Sequence, residues 1–461
     1  VTSSGPPWYD ENTQLRLDDS AVAAGMDVER GHYTRFNAVR PATLAEMHAD
    51  GGKAIPMRWV MTAKPRGADV SAVRARMCVQ EVRYGHDDVD TFAATASTIG
   101  PRFGMAWATK HGMAVTFLDV TNAFLHARCC ADPSPTGPKK VWVMPPESER
   151  TAPGTPGEIW ESLAAIPGCR KSPQWFQEWY AVEVAAGGWR RLQADAAIYH
   201  HAETNALMIV HVDDIMLITK ESDRAAMVAA LRTKVHIRPE KEKVISAQWV
   251  KFLGLEWRKR GEQFDVRMCP SFYTKLFDTL GLAAAKPVDT PGVPASKGAP
   301  DEALPLSEGE LFTYRAATGQ MMWAACRLRY DIFYAVKECA RRSSAATTAD
   351  MVNVKRVARY LLGTRDAVIP LGGRYAPDEP LELTCTVDAS WASGPDRRST
   401  SGGLLVLNGT NLGGWSRTQP TVAMSSCEAE LSGIWTGGQE STFVRHICQT
   451  WAATLWSRIS G

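Results

Sequence analysis

Two adjacent carboxylates, Asp213 and Asp214, interrupt the run Ile209-Val-His-Val-Asp-Asp-Ile-Met-Leu-Ile, which is otherwise strongly apolar and rich in strand-forming residues. Burying a charge without a partner is costly, so such a pair belongs at a hairpin turn facing water or against a divalent cation. The plain alternative is an Asp-Asp turn between two strands, because Asp is a common turn residue. Upstream, Thr116-Phe-Leu-Asp-Val-Thr-Asn-Ala-Phe-Leu ends a second apolar strand on one acid, Asp119. Viewed alone, Asp119 reads more simply as the N-cap of a helix starting at Thr121. Together, a strand-end acid and a distant Asp-Asp hairpin form a layout suited to two metal ions. In nucleotidyl transfer, two Mg²⁺ ions roughly 3.5–4 Å apart activate a primer 3′-hydroxyl and stabilise the departing pyrophosphate. Mg²⁺ prefers carboxylate and phosphate oxygens, so acids from separate elements have to converge on it.

The elements that must position these acids are legible as periodicities. Residues 1 to about 50 lack a sustained period and read as a lead-in with a short helix. Met57-Arg-Trp-Val-Met-Thr-Ala reads as a strand and Lys64-Pro-Arg-Gly as a turn. Val73-Arg-Ala-Arg-Met-Cys-Val alternates apolar and charged positions, as a half-buried antiparallel strand does. These two strands make a hairpin with Arg74 and Arg76 on one face. A helix is expected over 91–111, a strand over 113–119, and an exposed Pro-rich loop over 131–140. Helices over 175–186 and 223–231 and a short strand over 252–257 follow. Residues 286–309, with Pro287, Pro291, Pro294, Pro300 and Pro305, read as a linker. Helical segments over 311–334 and 351–362 come next. A final α/β segment has a strand ending at Asp388, a second over 402–407, and a helix from near Ser426.

Bulk composition narrows the class. At 461 residues the chain is too long for one core, so two or three domains are expected. With 45% hydrophobic and 22% charged residues it reads as an ordinary globular protein. The net charge of +2 neither advertises nor excludes nucleic-acid binding, since a polymerase needs only a local basic groove. Ten cysteines include no Cys-X-X-Cys pair, and the adjacent Cys129–Cys130 suit neither a zinc site nor a simple disulfide scaffold. Reduced thiols in an intracellular compartment are expected. No apolar run approaches the roughly 20 residues of a membrane span. The first residues are polar and acidic, unlike a signal peptide. Starting at Val1, the chain reads as a piece of a longer polyprotein or an incomplete gene model.

A family resemblance emerges from ordered motifs. Arg74-Ala-Arg-Met-Cys-Val, Asp119-Val-Thr-Asn-Ala-Phe-Leu, Gly168-Cys-Arg-Lys-Ser-Pro, His211-Val-Asp-Asp and Phe252-Leu-Gly-Leu-Glu follow one another. Ala285-Lys-Pro-Val-Asp-Thr-Pro, Tyr314-Arg-Ala-Ala-Thr-Gly and Arg356-Val-Ala-Arg-Tyr-Leu-Leu-Gly-Thr come after them. Over roughly residues 55–448 the chain resembles the Pol polyprotein of copia-type LTR retrotransposons, with its reverse transcriptase and RNase H. The resemblance implies an α+β right-hand polymerase with an antiparallel palm sheet, followed by a truncated RNase H-like α/β domain. The implied parts are a lead-in over 1–54, fingers and palm over 55–260, thumb and connection over 261–375, and a partial RNase H-like domain over 376–461.

The resemblance also implies roles. Asp119 and Asp213 are direct ligands of two Mg²⁺ ions (Mn²⁺ as a substitute), Asp214 supports them, and the Val120 carbonyl is a further ligand. Phe124 is the steric gate against a ribose 2′-hydroxyl, although its plain reading is core packing. Arg74 and Arg76 contact the triphosphate, as guanidinium suits phosphate oxygens; their plain reading is a solvated strand face. Arg170, Lys171, Ser172 and Pro173 flank nucleotide and template, and Phe252, Leu253 and Gly254 form the primer grip. The implied partners are an RNA or DNA template with primer, and dNTPs, with no membrane. The implied location is intracellular, in a cytoplasmic virus-like particle or the nucleus. The chain departs from the family pattern at Lys171 (usually Gln), Pro167 (usually Tyr) and His211 (usually Tyr or similar). These departures keep open a relic that binds primer–template without extending it.

Thr386-Val-Asp-Ala-Ser-Trp, Asp396-Arg-Arg-Ser-Thr-Ser-Gly-Gly and Ala423-Met-Ser-Ser-Cys-Glu-Ala-Glu-Leu are similar to the copia RNase H sequence. Asp388 and Glu428 match its first two carboxylates. Glu430 points roughly to the other helix face and is the poorer match. The plain reading of Glu428 is a first-turn acid favoured by the helix dipole. The family draws its remaining acids from a later strand and helix, and residues 449–461 contain none. RNase H activity is therefore expected to be absent. No zinc knuckle, Asp-Ser/Thr-Gly protease motif or integrase zinc pattern is visible.

Overall fold

The computed structural model describes residues 7–66, 70–82, 90–129, 140–292, 303–372, 381–393 and 396–459. Most of the expected 131–140 loop, part of the 286–309 linker and Cys130 lie outside the described residues. The chain divides into two compact units. The first takes residues 1–95, 119–190 and 228–238; the second takes 96–118, 191–227 and 239–461. The units interleave along the chain.

In the first unit, β2 (Ala54–Arg66) and β3 (Val70–Val79) form the expected hairpin, paired from Met57↔Val79 to Arg66↔Val70. Val73, Ala75, Met77 and Val79 are buried while Arg74 is exposed and Arg76 half-buried, as the alternation requires. With β1 (Val39–Ala42), β5 (Val141–Met144) and β6 (Ile159–Ser162) they make a sheet of order β1-β6-β5-β2-β3. Strands β2 and β5 run parallel; the other pairings are antiparallel. β3 is an edge strand, and its exposed backbone groups are a liability unless covered. Helix α1 (Asp19–Arg35) covers them. Tyr33 Oη donates to the Met77 carbonyl at 3.0 Å, and the Met77 amide donates to Glu29 Oε1 at 3.2 Å. Asp18 caps α1 by accepting from the Ala21 amide at 2.8 Å. Leu17, Val22, Met26 and Tyr33 join Met61, Met77, Val143 and Ile166 in one core. The expected lead-in is thus part of this unit's packing. Helices α2 (Leu44–Ala49), opened by a Thr43–Glu46 capping box, and α4 (Ser172–Ala185) complete it.

The second unit is built on α3 (Ile99–Lys110), which is shorter than the helix expected over 91–111. Ser97 Oγ accepts from the Gly100 amide at 3.1 Å, and Pro101 sits in the first turn, where its missing N–H costs nothing. Next comes a six-stranded sheet of order β11-β4-β10-β9-β8-β7. Its strands are β4 (Ala114–Asp119), β7 (Trp189–Arg191), β8 (Ile198–His201), β9 (Ala206–His211), β10 (Asp214–Thr219) and β11 (Lys243–Val244). Helix α5 (Glu221–Arg232) follows β10. The segment expected as one short strand over 252–257 is instead a hairpin, β12 (Val250–Phe252) and β13 (Leu255–Arg260), because Leu253 and Gly254 both adopt positive φ. With β14 (Gln263–Met268) and β15 (Ile369–Leu371) it makes an antiparallel four-stranded sheet.

Helices α6 (Pro270–Leu280), α7 (Glu308–Arg327), α8 (Phe333–Ala340) and α9 (Thr348–Gly363) pack on that sheet through Leu276, Tyr314, Met321, Val336 and Leu361. The last elements are an antiparallel sheet of β16 (Leu383–Ser390), β17 (Thr400–Leu407) and β18 (Thr410–Thr418), and α10 (Ser426–Ile459). Leu405, Leu412, Trp415, Val444 and Ile447 share one core with Phe103, Trp257 and Tyr314. Arg102 on α3 ties these parts together: its guanidinium donates to Tyr330 Oη, to the Arg327 carbonyl at the end of α7 and to the Leu412 carbonyl on β18. Among the described residues, no helix is long and apolar enough to cross a membrane.

Candidate active site

The Asp-Asp pair sits where β9 turns into β10. His211 pairs with Asp214, so Val212 and Asp213 alone make the turn. Two-residue hairpins require positive φ at one or both central positions, where Gly, Asn or Asp is usual. Here Val212 takes φ +58. For a β-branched residue this is an outlier worth about 1–3 kcal/mol of strain. The flanking strands explain how the strain is held, since Leu207–Ile209 and Ile215–Ile218 are almost fully buried. The turn itself is half-buried. The Asp213 carboxylate makes no hydrogen bond or ion pair among the described residues. Beside it, burial holds the His211 imidazole below its usual pKa, with the Arg327 charge acting in the same direction. His211 Nδ1 is buried and finds no partner among the described residues. A neutral ring therefore flanks the acids at pH 7.

Asp119 is the last residue of β4, and β4 is the sheet neighbour of β10, which Asp214 opens. Asp119 thus ends a strand, and the helix expected from Thr121 is reduced to a single 3-10 turn, Ala123–His126, preceded by Asn122 in the left-handed region at φ 52. Val120 is buried and bridges Ile237; the flanking bond runs from the Thr121 amide to the His236 carbonyl at 2.9 Å. Phe124 is half-buried and meets Phe176 of α4 edge-on, with ring centroids 6.2 Å apart.

Lys171 stands at the N-cap of α4. The turn before it is docked on the end of β3: the Val79 amide donates to the Pro167 carbonyl at 2.8 Å, and the Arg170 amide to Glu81 Oε2 at 2.8 Å. Only glycine fits at 168, where φ is +94 and a Cβ would run into the Val79 carbonyl. This fixes Lys171 on the unit that carries Arg74 and Arg76.

At the β12–β13 turn, Leu253 has φ 48 and Gly254 φ 79. A Cβ on Gly254 would stand 2.8 Å from the Trp323 ring. Phe252 lies flat on Phe117 of β4, ring centroids 4.0 Å apart, and its carbonyl accepts from Trp257 Nε1 at 3.1 Å. The turn is thereby anchored to strand β4.

Asp388 and Glu428, expected as an RNase H remnant, sit in different surroundings. Asp388 is exposed on β16. Glu428 is turned back on the start of its own helix, accepting from the Met424 amide at 2.6 Å, while its own amide donates to Ser425 Oγ at 3.2 Å. Glu430, judged the poorer match from sequence, instead accepts from the Ala389 amide at 3.3 Å, next to Asp388. The signal was available in the helix phase. Gly433 and Gly437 are the small residues that let α10 approach Ala389 and Val387, and Glu430 is one turn before them. Among the described residues, no group of three or more His, Cys, Asp or Glu forms a ready-made metal cluster.

Residues 44–294 match the reverse transcriptase (RNA-dependent DNA polymerase) family, over half of the chain. The chain belongs to this family. It is 24% identical over 413 residues to the retrovirus-related Pol polyprotein from transposon TNT 1-94 of Nicotiana tabacum, covering 87% of this chain and 30% of that protein. It is 25% identical over 407 residues to the corresponding polyprotein from transposon RE1 of Arabidopsis thaliana, covering 84% and 25%. The chain thus spans between a quarter and a third of the length of these relatives. The resemblance to copia-type Pol polyproteins is borne out. Among solved structures, a crystal structure of prototype foamy virus protease-reverse transcriptase aligns over 96% of this chain and 48% of its own, at 13% identity and a TM-score of 0.31.

Proposed function

We propose that this reverse transcriptase chain is the RNA-directed DNA polymerase part of a copia-type retrotransposon Pol, adding dNTPs to a primer 3′ end on an RNA or DNA template. The observation that carries the reading is the strained Val212, which holds the Asp213–Asp214 pair at the tip of β9–β10. Strain of this size persists where surrounding structure over-determines it, and such places are typically functional.

The donor set fits hard cations. Asp119, Asp213 and Asp214, with the Val120 carbonyl, offer the oxygen ligands that Mg²⁺ or Mn²⁺ takes. When bound, two such ions neutralise the triphosphate and acidify the primer hydroxyl. The chain's own residues do the rest. Neutral His211 adds no positive charge to compete with the cations. Arg74 and Arg76, on the solvent face of β3, take triphosphate oxygens through charge-assisted hydrogen bonds. Lys171 lies along the same nucleotide, and Phe124 fills the space a 2′-hydroxyl would need. Phe252, Leu253 and Gly254 position the primer terminus. In this reading the parts are fingers and palm, thumb and connection, and an incomplete RNase H-like domain in which Glu430 rather than Glu428 accompanies Asp388.

Primer extension on poly(rA)/oligo(dT) tests the reading, with Asp213→Asn as control. Extension by the parent chain that the variant abolishes is the expected result. Binding without extension would mark the chain as a relic.

A further inference from the structure

The outer face of the β12–β15 sheet carries a cluster to which the proposed function gives no role. Phe252, Leu255, Trp257, Phe264, Val266 and Met268 are buried on the inner face. The alternate positions put Lys251, Glu256, Arg258, Arg260, Asp265 and Arg267 on the other side. Trp249, just before β12, is half-buried there. The guanidinium carbons of Arg258 and Arg267 lie 4.5 and 4.2 Å from its ring centroid.

The charges are held but not used up. Asp265, 2% exposed, receives Arg258 at 2.9 Å and Arg260 at 3.0 Å, and Glu256 receives Arg267 at 2.8 Å. Each guanidinium has five N–H donors in a rigid plane, and a carboxylate engages two at most. The acids therefore fix the direction of the arginines and leave donors facing solvent. Four cations (Lys251, Arg258, Arg260, Arg267) against two acids (Glu256, Asp265) leave a net +2 on this face.

A half-buried indole with guanidinium groups already stacked on it, and excess positive charge, is the composition of a stacking platform for unpaired bases, which lie on the exposed part of the ring and on the guanidinium planes. A duplex keeps its bases stacked on one another and offers such a ring nothing. We propose that this sheet face binds single-stranded nucleic acid, with a base on Trp249 and the adjoining phosphates on Lys251, Arg258, Arg260 and Arg267. The proposal rests on the polymerase reading only for the class of partner.

Fluorescence anisotropy of the full chain, with labelled oligo(dT) and with a blunt duplex of equal length, tests it. Trp249→Ala weakens oligo(dT) binding about tenfold and leaves duplex binding unchanged, and Trp249→Phe restores most of the loss. The double variant Lys251→Gln/Arg260→Gln lowers the slope of log affinity against log salt by about 1.4 for the single strand. Unchanged oligo(dT) affinity in Trp249→Ala, or an equal loss on the duplex, overturns the proposal. Absence of extension in the parent chain, with Trp249-dependent oligo(dT) binding intact, counts against the polymerase reading alone.

Discussion

Two hairpins of the second unit turn on two residues each and reach positive φ by different means. At β12–β13, Leu253 (φ 48) is followed by Gly254 (φ 79), so the second position carries the residue the conformation prefers. At β9–β10, Val212 takes φ +58 with no glycine present, and an acid follows it. The first turn obeys local propensity at its second position only and is shaped by packing, since Trp323 fills the space over Gly254. The second contradicts propensity and is held by buried strands on both sides. Both turns hold a bulky residue at positive φ, but only at β9–β10 does no glycine share the turn and an acid stand beside the strained residue.

The comparison can be broken most directly at the acid. Asp213→Asn is expected to lower extension on poly(rA)/oligo(dT) by about three orders of magnitude, or ~4 kcal/mol of barrier, with primer–template affinity retained. Retained extension would reduce the β9–β10 turn to ordinary structure. Next in size, Gly254→Val should destabilise the chain by about 2 kcal/mol in urea unfolding, because φ 79 and the Trp323 ring both oppose a branched side chain. Trp323→Leu in the same chain should recover part of that loss. Val212→Gly should do the reverse at the other turn. Relief of strain, offset by the entropy of an added glycine, should raise stability by no more than about 1 kcal/mol while extension slows. A fall in stability would show that Val212 is not strained.

The smallest effect lies away from both turns. In the first unit His126 is packed between Phe36 and Trp179, and burial pushes its pKa down to about 4, against a weak opposing hydrogen bond to the Thr121 carbonyl. The unfolded chain binds a proton here near pH 6.5 and the folded chain does not until about pH 4. Stability is therefore full above pH 6.5 and declines as pH falls toward 4. At pH 5.5 the loss should stay below about 1 kcal/mol, because solvent reaches part of the ring. His126→Phe should flatten this slope in thermal melts taken across that range, leaving any hairpin-linked pH effect exposed.

Much of the architecture was legible because its signals are local. The β2–β3 hairpin followed from the alternation around Arg74 and Arg76, and α10 from the Ser-Ser-Cys-Glu start. Other parts were misjudged for definable reasons. Residues 91–98 looked helical by apolar spacing, yet Ser97 and Pro101 set the start of α3 at Ile99. The short strand over 252–257 concealed a turn, since Leu253 gives no hint of positive φ. Glu428 and Glu430 lie two positions apart; the small residues Gly433 and Gly437 share a helix face with Glu430, and their contact with β16 makes that the face toward the sheet.

By itself, the order of residues determined most of the strands and helices by type and which family supplies the pattern. Both depend on near neighbours in the chain or on motif identity. Tertiary structure alone decided that the opening residues cover the edge of β3, that the last sheet shares a core with α3, and that a valine is held in a glycine's conformation. Each of these is settled by contacts between segments remote in sequence, whose combined burial outweighs the preference of any single residue.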